Sequence, residues 1–324
     1  MPHDHHSAAG PGRLKPSEAR KISGAATWAS LSVALILTVA KGVVWYMSGS
    51  VALLASMADS LLDLTASLTV FFAVRYAAEP ADAEHRFGHG KAEAFASILQ
   101  AMLVAVSAAL LLREGVAHTI NPVTIEASGW ALGVMTLSIA LTLGLLIIQT
   151  RAIAKTGSVA IEGDRAHYLT DLGANIAVMA GIAGSVFFGL ERLDGLAALA
   201  VAVWLAHAAW QVARKALDQL MDRELPDTER EEIRTLVEAD PRILDIHDLR
   251  TRAAGPLVHI QFHMALDPDM SLADAHKVLV DAENRLLAVY PAADILIHAD
   301  PHGAAEPHGA AFFGGEAETA DGGH

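Results

Sequence analysis

No cysteine occurs in the 324 residues. That excludes disulfides, thiolate nucleophiles and cysteine-based zinc sites together. Charge is also scarce: Asp, Glu, Lys and Arg make up 19% of the chain, with 23 basic residues against 37 acidic ones. The formal net charge of −14 argues against a nucleic-acid partner. The amino-terminal stretch MPHDHHSAAGPGRLKPSEARK has no signal-peptide pattern, and no repeat of fixed period runs through the chain. What remains is apolar. Hydrophobic residues reach 53%, and the mean hydropathy is +0.36. There are 16 histidines. Any metal this chain handles meets imidazole and carboxylate, which suit zinc, iron, cobalt or manganese better than Cu(I).

The apolar residues are concentrated before about residue 213. Six segments stand out, at 26–47, 51–76, 92–117, 129–150, 160–189 and 194–213, each near the ~20 residues that a helix needs to span a bilayer. Gly173, Gly181 and Gly184 in the fifth allow close helix packing. Basic residues collect on one side: Arg13, Lys15, Arg20 and Lys21 before the first segment, Arg75, Arg86 and Lys91 after the second, Arg151, Lys155 and Arg165 after the fourth, Arg214 and Lys215 after the sixth. The opposite loops hold little positive charge, so both termini are expected in the cytoplasm.

After Asp222 the chain becomes charged. LPDTEREEIRTLVEAD predicts a helix with a capping aspartate or threonine. ILDIHDLRTRAAGPLVHIQFHMALD predicts two strands joined at Ala-Gly-Pro, SLADAHKVLVDAENRLLAVY an amphipathic helix, and ADILIHAD a last strand. The fold expected is an α-helical membrane protein with six transmembrane helices and a small cytoplasmic α+β domain. The divisions are a polar cytoplasmic segment 1–22, a membrane domain 23–215, a soluble domain 216–301 and a disordered tail 302–324.

Within Val51–Val74 the only charged residues are Asp59 and Asp63, four apart and so on one helical face. A carboxylate at mid-membrane costs roughly 2.5–3.5 kcal/mol on insertion scales. A structural acid there needs a buried lysine or arginine, and no span carries one in its middle, so an external cation is the natural partner. EGDRAHYLTDLGAN repeats the spacing with His167 and Asp171. Together the two helices offer three carboxylates and one imidazole, a full tetrahedral set for zinc with no open position for hydrolysis. Asn175, a turn further on, is either a supporting group or a helix–helix hydrogen bond.

Asp82, His85 and His89 lie three and four apart in the loop EPADAEHRFGHGKAE, as a metal site or as a solvated polar loop. The soluble domain carries His247, His259, His263, His276, His298 and Asp300. On strands, His259 and His263 share a face, as do His298 and Asp300. His207 reads as a packed or hydrogen-bonded histidine. His3, His5, His6, His302, His308 and His324 read as bystanders in the tails.

The stretches MADSLLDLTASL, PADAEHRFGHGKAEA, AHYLTD, LMDRELPD, IHDLRTRAAGP and ILIHADP occur in this order over about residues 20–301. They resemble the cation diffusion facilitator family, in its bacterial zinc and ferrous-iron efflux branch. The resemblance implies a multi-pass homodimer of the bacterial inner membrane, with six spans per subunit and a metallochaperone-like, ferredoxin-like cytoplasmic domain. It implies a transport site of Asp59, Asp63, His167 and Asp171 and a loop site of Asp82, His85 and His89. It further implies a binuclear site of His247, His263, His276, His298 and Asp300 in the soluble domain, and an interlocking Lys91–Asp222 salt bridge near the dimer interface. Zinc would be both cargo and structural ligand, with cadmium and ferrous iron as alternatives and protons as counter-substrate. Ala299 stands where relatives often have a polar residue, Ala166 where a larger apolar residue is common, and His259 matches no family ligand. A membrane-anchored metal sensor and an intramembrane metalloenzyme are the rival readings. The second lacks both an open metal position and an H-E-x-x-H motif.

Overall fold

The apolar segments form six long helices: α1 (Pro16–Ser48), α2 (Val51–Ala77), α3 (Ala92–Ile120), α4 (Gly129–Thr156), α5 (Val159–Phe188) and α6 (Leu193–Leu220). The computed structural model describes residues 10–48, 51–120, 129–188 and 193–303. His3, His5, His6, His308 and His324 lie outside the described residues. Even the shortest helix, α2 with 27 residues, reaches about 40 Å at ~1.5 Å per residue, more than a ~30 Å hydrocarbon core. Proline is kept out of these helices apart from Pro16 at the start of α1, where its missing N–H costs nothing. Among the described residues, five of these helices are long and apolar enough to cross a membrane. The first half of α5 carries Glu162, Asp164, Arg165 and Asp171.

The burial pattern inverts that of a soluble bundle. Small and polar residues face inward: Ser23, Thr27 and Ser30 on α1, Ser60 and Ser67 on α2, Ser97 and Gln100 on α3 are all buried. Large apolar residues face outward, among them Leu35, Ile36, Val39 and Val43 on α1 and Leu99, Met102, Val106 and Leu110 on α3. Lipid is as apolar as leucine, so helices there associate through close packing and hydrogen bonds instead of hydrophobic burial. Gly173 is one such contact. A Cβ on it would stand 2.7 Å from Val201 Cγ1 of α6.

The chain divides into two compact units. The first holds residues up to 223 with the short pieces 252–258 and 290–293; the second holds 224–251, 259–289 and the chain from 294 onward. The remaining elements are α7 (Asp227–Glu238), β1 (Asp245–Ala254), β2 (Leu257–Leu266), α8 (Leu272–Val289) and β3 (Ala293–Pro301), in the expected helix–strand–strand–helix–strand order. The sheet order is β1-β2-β3. Val258 N–H donates to Ala292 O and His302 N–H to Leu266 O, so β3 runs parallel to β2. His302, expected in the tail, is thus held at the end of the sheet. Apolar residues of β2 (Val258, Ile260, Phe262, Met264) are buried with Val278, Ala282 and Leu286, which recur every four residues on α8. The cap of α7 differs from expectation. Pro226 takes the N-cap position without a side-chain bond, and Asp227 falls inside the first turn. There its charge, with that of Glu229, complements the helix dipole instead of capping the helix.

Candidate metal centres

Asp63 on α2 and His167 and Asp171 on α5 each offer one ligand atom within 4.8 Å of the others. His167 Nε2 lies 3.0 Å from Asp63 Oδ1. Ligands ~2 Å from a tetrahedral zinc stand roughly 3.3 Å apart, a spacing close to that of the Asp63–His167 pair. His167 is buried and the two acids half-buried. Asp59 is not in this group: its side chain is exposed, one turn away along α2.

A protein amine stands beside these acids, contrary to the expectation that none would. Lys41 of α1 donates to Ser60 Oγ of α2 at 2.6 Å. Asp59 and Asp171 both lie within electrostatic reach of it. Among the described residues no ion pair joins Lys41 to either acid of α2, so the amine is held by a hydroxyl. Asn175 Nδ2 is 3.5 Å from Ser138 Oγ of α4, a helix–helix contact. His207 is exposed on α6 and pairs with Gln211 at 2.8 Å.

The loop between α2 and α3 brings Asp82, His85 and His89 into a second group within 4.8 Å. Asp82 Oδ1 accepts backbone N–H bonds from His85 at 2.6 Å and Glu84 at 2.9 Å, and these hold its carboxyl below the usual range. His89 is buried against the Tyr76 ring, 4.5 Å between centroids, with Nε2 3.3 Å from Asp82 Oδ2. Lys91, just beyond, pairs with Asp222 at 2.8 Å. Arg252 also reaches Asp222, at 3.1 Å. Burial opposes ionisation of Asp222, but the bond from Lys91 and the charge of Arg252 outweigh it and lower the pKa.

In the soluble domain the three strands converge on Asp300. His247 of β1 and His263 of β2 approach Asp300 Oδ2 at 3.2 and 2.9 Å, and His298 of β3 approaches Oδ1 at 3.1 Å. Burial of Asp300 raises its pKa, yet the hydrogen bond from His263 and the neighbouring rings prevail and lower it. His247, His263 and Asp300 form a ligand-competent group, with the His298 ring tilted against that of His263 at 4.7 Å between centroids. His276 is exposed on α8 and is not in the group. His259 is buried and pairs with Asp294 at 3.0 Å. Two partners were missed from sequence. Asp245 lies 3.1 Å from His247 Nδ1, and its two-residue spacing along β1 was the available signal. Asp164, on α5, is buried one turn before His167 and shares its helical face.

Two family profiles match the chain: "Cation efflux transmembrane domain" over residues 27–221 and "Cation efflux protein, cytoplasmic domain" over residues 225–302. A protein named cation-efflux pump FieF from Serratia proteamaculans is 40% identical over 288 residues, covering 89% of this chain and 95% of the relative. The protein of that name from Shewanella oneidensis is 41% identical over 276 residues, covering 85% and 93%. A solved structure, the metal-bound C-terminal domain of the CzcD transporter from Thermotoga maritima, is 28% identical. It covers 25% of this chain and all of its own, with a TM-score of 0.24.

Proposed function

The chain belongs to the cation efflux family, and from that premise we propose that it exports divalent metal ions, zinc and cadmium foremost, in exchange for protons. It is a multi-pass membrane transporter of metal cations and not an enzyme. The observation that carries the reading is the Asp63–His167–Asp171 group on two membrane helices. Asp59 completes the set when the helices adjust around an ion. Metal binding requires ionised aspartates and a neutral imidazole, so protons compete for the same atoms. Acids crowded in low dielectric repel one another and take up protons when the ion leaves. Alternate opening of the site to each face then lets protons entering from outside displace the ion. One imidazole with carboxylates favours a tetrahedral ion over manganese.

The basic residues flanking the helices support an inner-membrane orientation with both termini cytoplasmic. The match of residues 225–302 to the cytoplasmic domain of the family, whose profile is the dimer module, supports a homodimer. In it Lys91 and Asp222 interlock the membrane domain near the interface. Asp82, His85 and His89 take up cytoplasmic metal. His247, His263, His298 and Asp300, with His276 brought in on dimerisation, hold a binuclear zinc site. Such a site biases the transporter only through differential affinity for its two states.

The test is flux into sealed vesicles loaded with a zinc dye, under an imposed pH gradient. Wild-type protein carries zinc and cadmium faster than manganese. Asp63→Ala abolishes the flux while the dimer stays folded. Undiminished flux in that variant, or binding without flux in the wild type, removes the transport reading and leaves a sensor.

A further inference from the structure

Asp164 takes no part in the ligand group, yet among the described residues its carboxylate is bonded to two other membrane helices. It is 1% exposed. Its Oδ2 accepts from Ser30 Oγ of α1 at 2.5 Å and from Gln149 Nε2 of α4 at 2.8 Å. Ser30 Oγ lies 3.2 Å from Ser67 Oγ of α2, which lies 3.1 Å from the Tyr168 hydroxyl of α5. That hydroxyl donates to Ser30 O at 3.0 Å and closes the ring. Ser30, Ser67, Gln149 and Tyr168 are each no more than 1% exposed. Four helices therefore meet at one buried polar knot.

The knot sits where it can govern the metal ligands. Asp164, His167, Tyr168 and Asp171 follow one another at three, four and seven residues from Asp164, a single face of α5. Ser67 stands one turn from Asp63 on α2 in the same way. Rotation of α5 about its axis would swing His167 and Asp171 away from Asp63. The two bonds to Asp164 oppose that rotation, because breaking them would leave buried donors and a buried acceptor unpaired.

We propose that Asp164 is a positioning residue for the transport site: through Ser30 and Gln149 it fixes the rotation of α5 that sets His167 and Asp171 against Asp63. This rests on the transport-site reading above. Asp164 does not touch the ion. What it supplies is an acceptor oxygen at one point in space, and an asparagine oxygen can supply the same.

The experiment measures zinc affinity of the full-length protein in detergent by competition with a chelating dye. Each variant is made in a background of His247→Ala, His263→Ala and His85→Ala, to isolate the membrane site. Asp164→Ala is expected to weaken zinc binding by about tenfold or more, as loss of a supporting group around a metal does. Asp164→Asn is expected to restore it to within about threefold, since both hydrogen bonds survive. Ser30→Ala, which leaves α5 untouched, is expected to fall between them. Wild-type affinity in Asp164→Ala overturns the proposal. Equal loss in Asp164→Asn and Asp164→Ala also overturns it, since the charge and not the position then matters. Should Asp164→Ala fail to fold, Ser30→Ala decides alone, with unchanged affinity against the proposal. Failure of the parent reading looks different: the background protein with Asp164 intact then binds no zinc that Asp63→Ala abolishes.

Discussion

Asp240 shows how single residues fix the soluble domain. Its carboxylate accepts from Arg242 Nε at 2.9 Å, from Arg242 Nη2 at 2.6 Å and from Arg285 at 3.3 Å, with the side chain 7% exposed. The Arg242 hydrogen bonds hold its pKa far below the usual carboxylate value. A group depressed in the folded state stabilises the fold above its unfolded pKa of about 3.9, and that contribution fades as pH falls toward the folded value. Thermal melts taken from pH 5 downward should therefore lose stability most steeply below about pH 4, and Asp240→Asn should flatten that slope. At pH 7 the same variant should cost about 1.5–3 kcal/mol, the worth of bonds to a charged group. An unchanged slope would show that other carboxylates carry the acid sensitivity.

At the scale of helices, packing within the membrane unit depends on side chains that are small or missing. Gly173 lets α5 approach α6, where Val201 Cγ1 would lie 2.7 Å from an added Cβ. Gly173→Ala should destabilise the protein by about 1–3 kcal/mol through overpacking. Val201→Ala removes the opposing methyl and should recover most of that loss. Thermal unfolding in detergent of the two single variants and the double variant reads the coupling directly; additive effects would mean that α6 yields without strain. The same helix contains the proposed ligands His167 and Asp171, so the Gly173→Ala strain should also appear in zinc affinity.

For the whole molecule, the soluble cluster ties three strands to one aspartate. A ligand that binds only the folded form stabilises it by about 2.7 kcal/mol at a hundred times its dissociation constant. Zinc should thus raise the melting temperature of the soluble domain and a chelator should reverse the rise. Asp300→Ala should remove the response, because His247, His263 and His298 all converge on that residue. A zinc shift that survives Asp300→Ala would place the stabilising ion elsewhere.

The sequence by itself determined the elements and the faces. Apolar runs of bilayer length specify long helices, and a four-residue interval puts Asp59 with Asp63, and His167 with Asp171, on one side of a helix. A two-residue interval does the same for His298 and Asp300 on a strand. Periodicity says nothing about depth or rotation relative to a neighbour. Only the tertiary structure decided that Asp63 meets the α5 pair while Asp59 lies a turn away, and that Lys41 reaches Ser60 from another helix. It alone made Asp300 the point where three strands converge and left His276 outside. Asp164 was invisible for the same reason: its partners Ser30 and Gln149 are more than a hundred residues before it and 15 residues before it, and they come together only when α1, α4 and α5 pack. Local spacing is fixed by backbone geometry, whereas a hydrogen bond across helices exists only once the close-packed interior has chosen its neighbours.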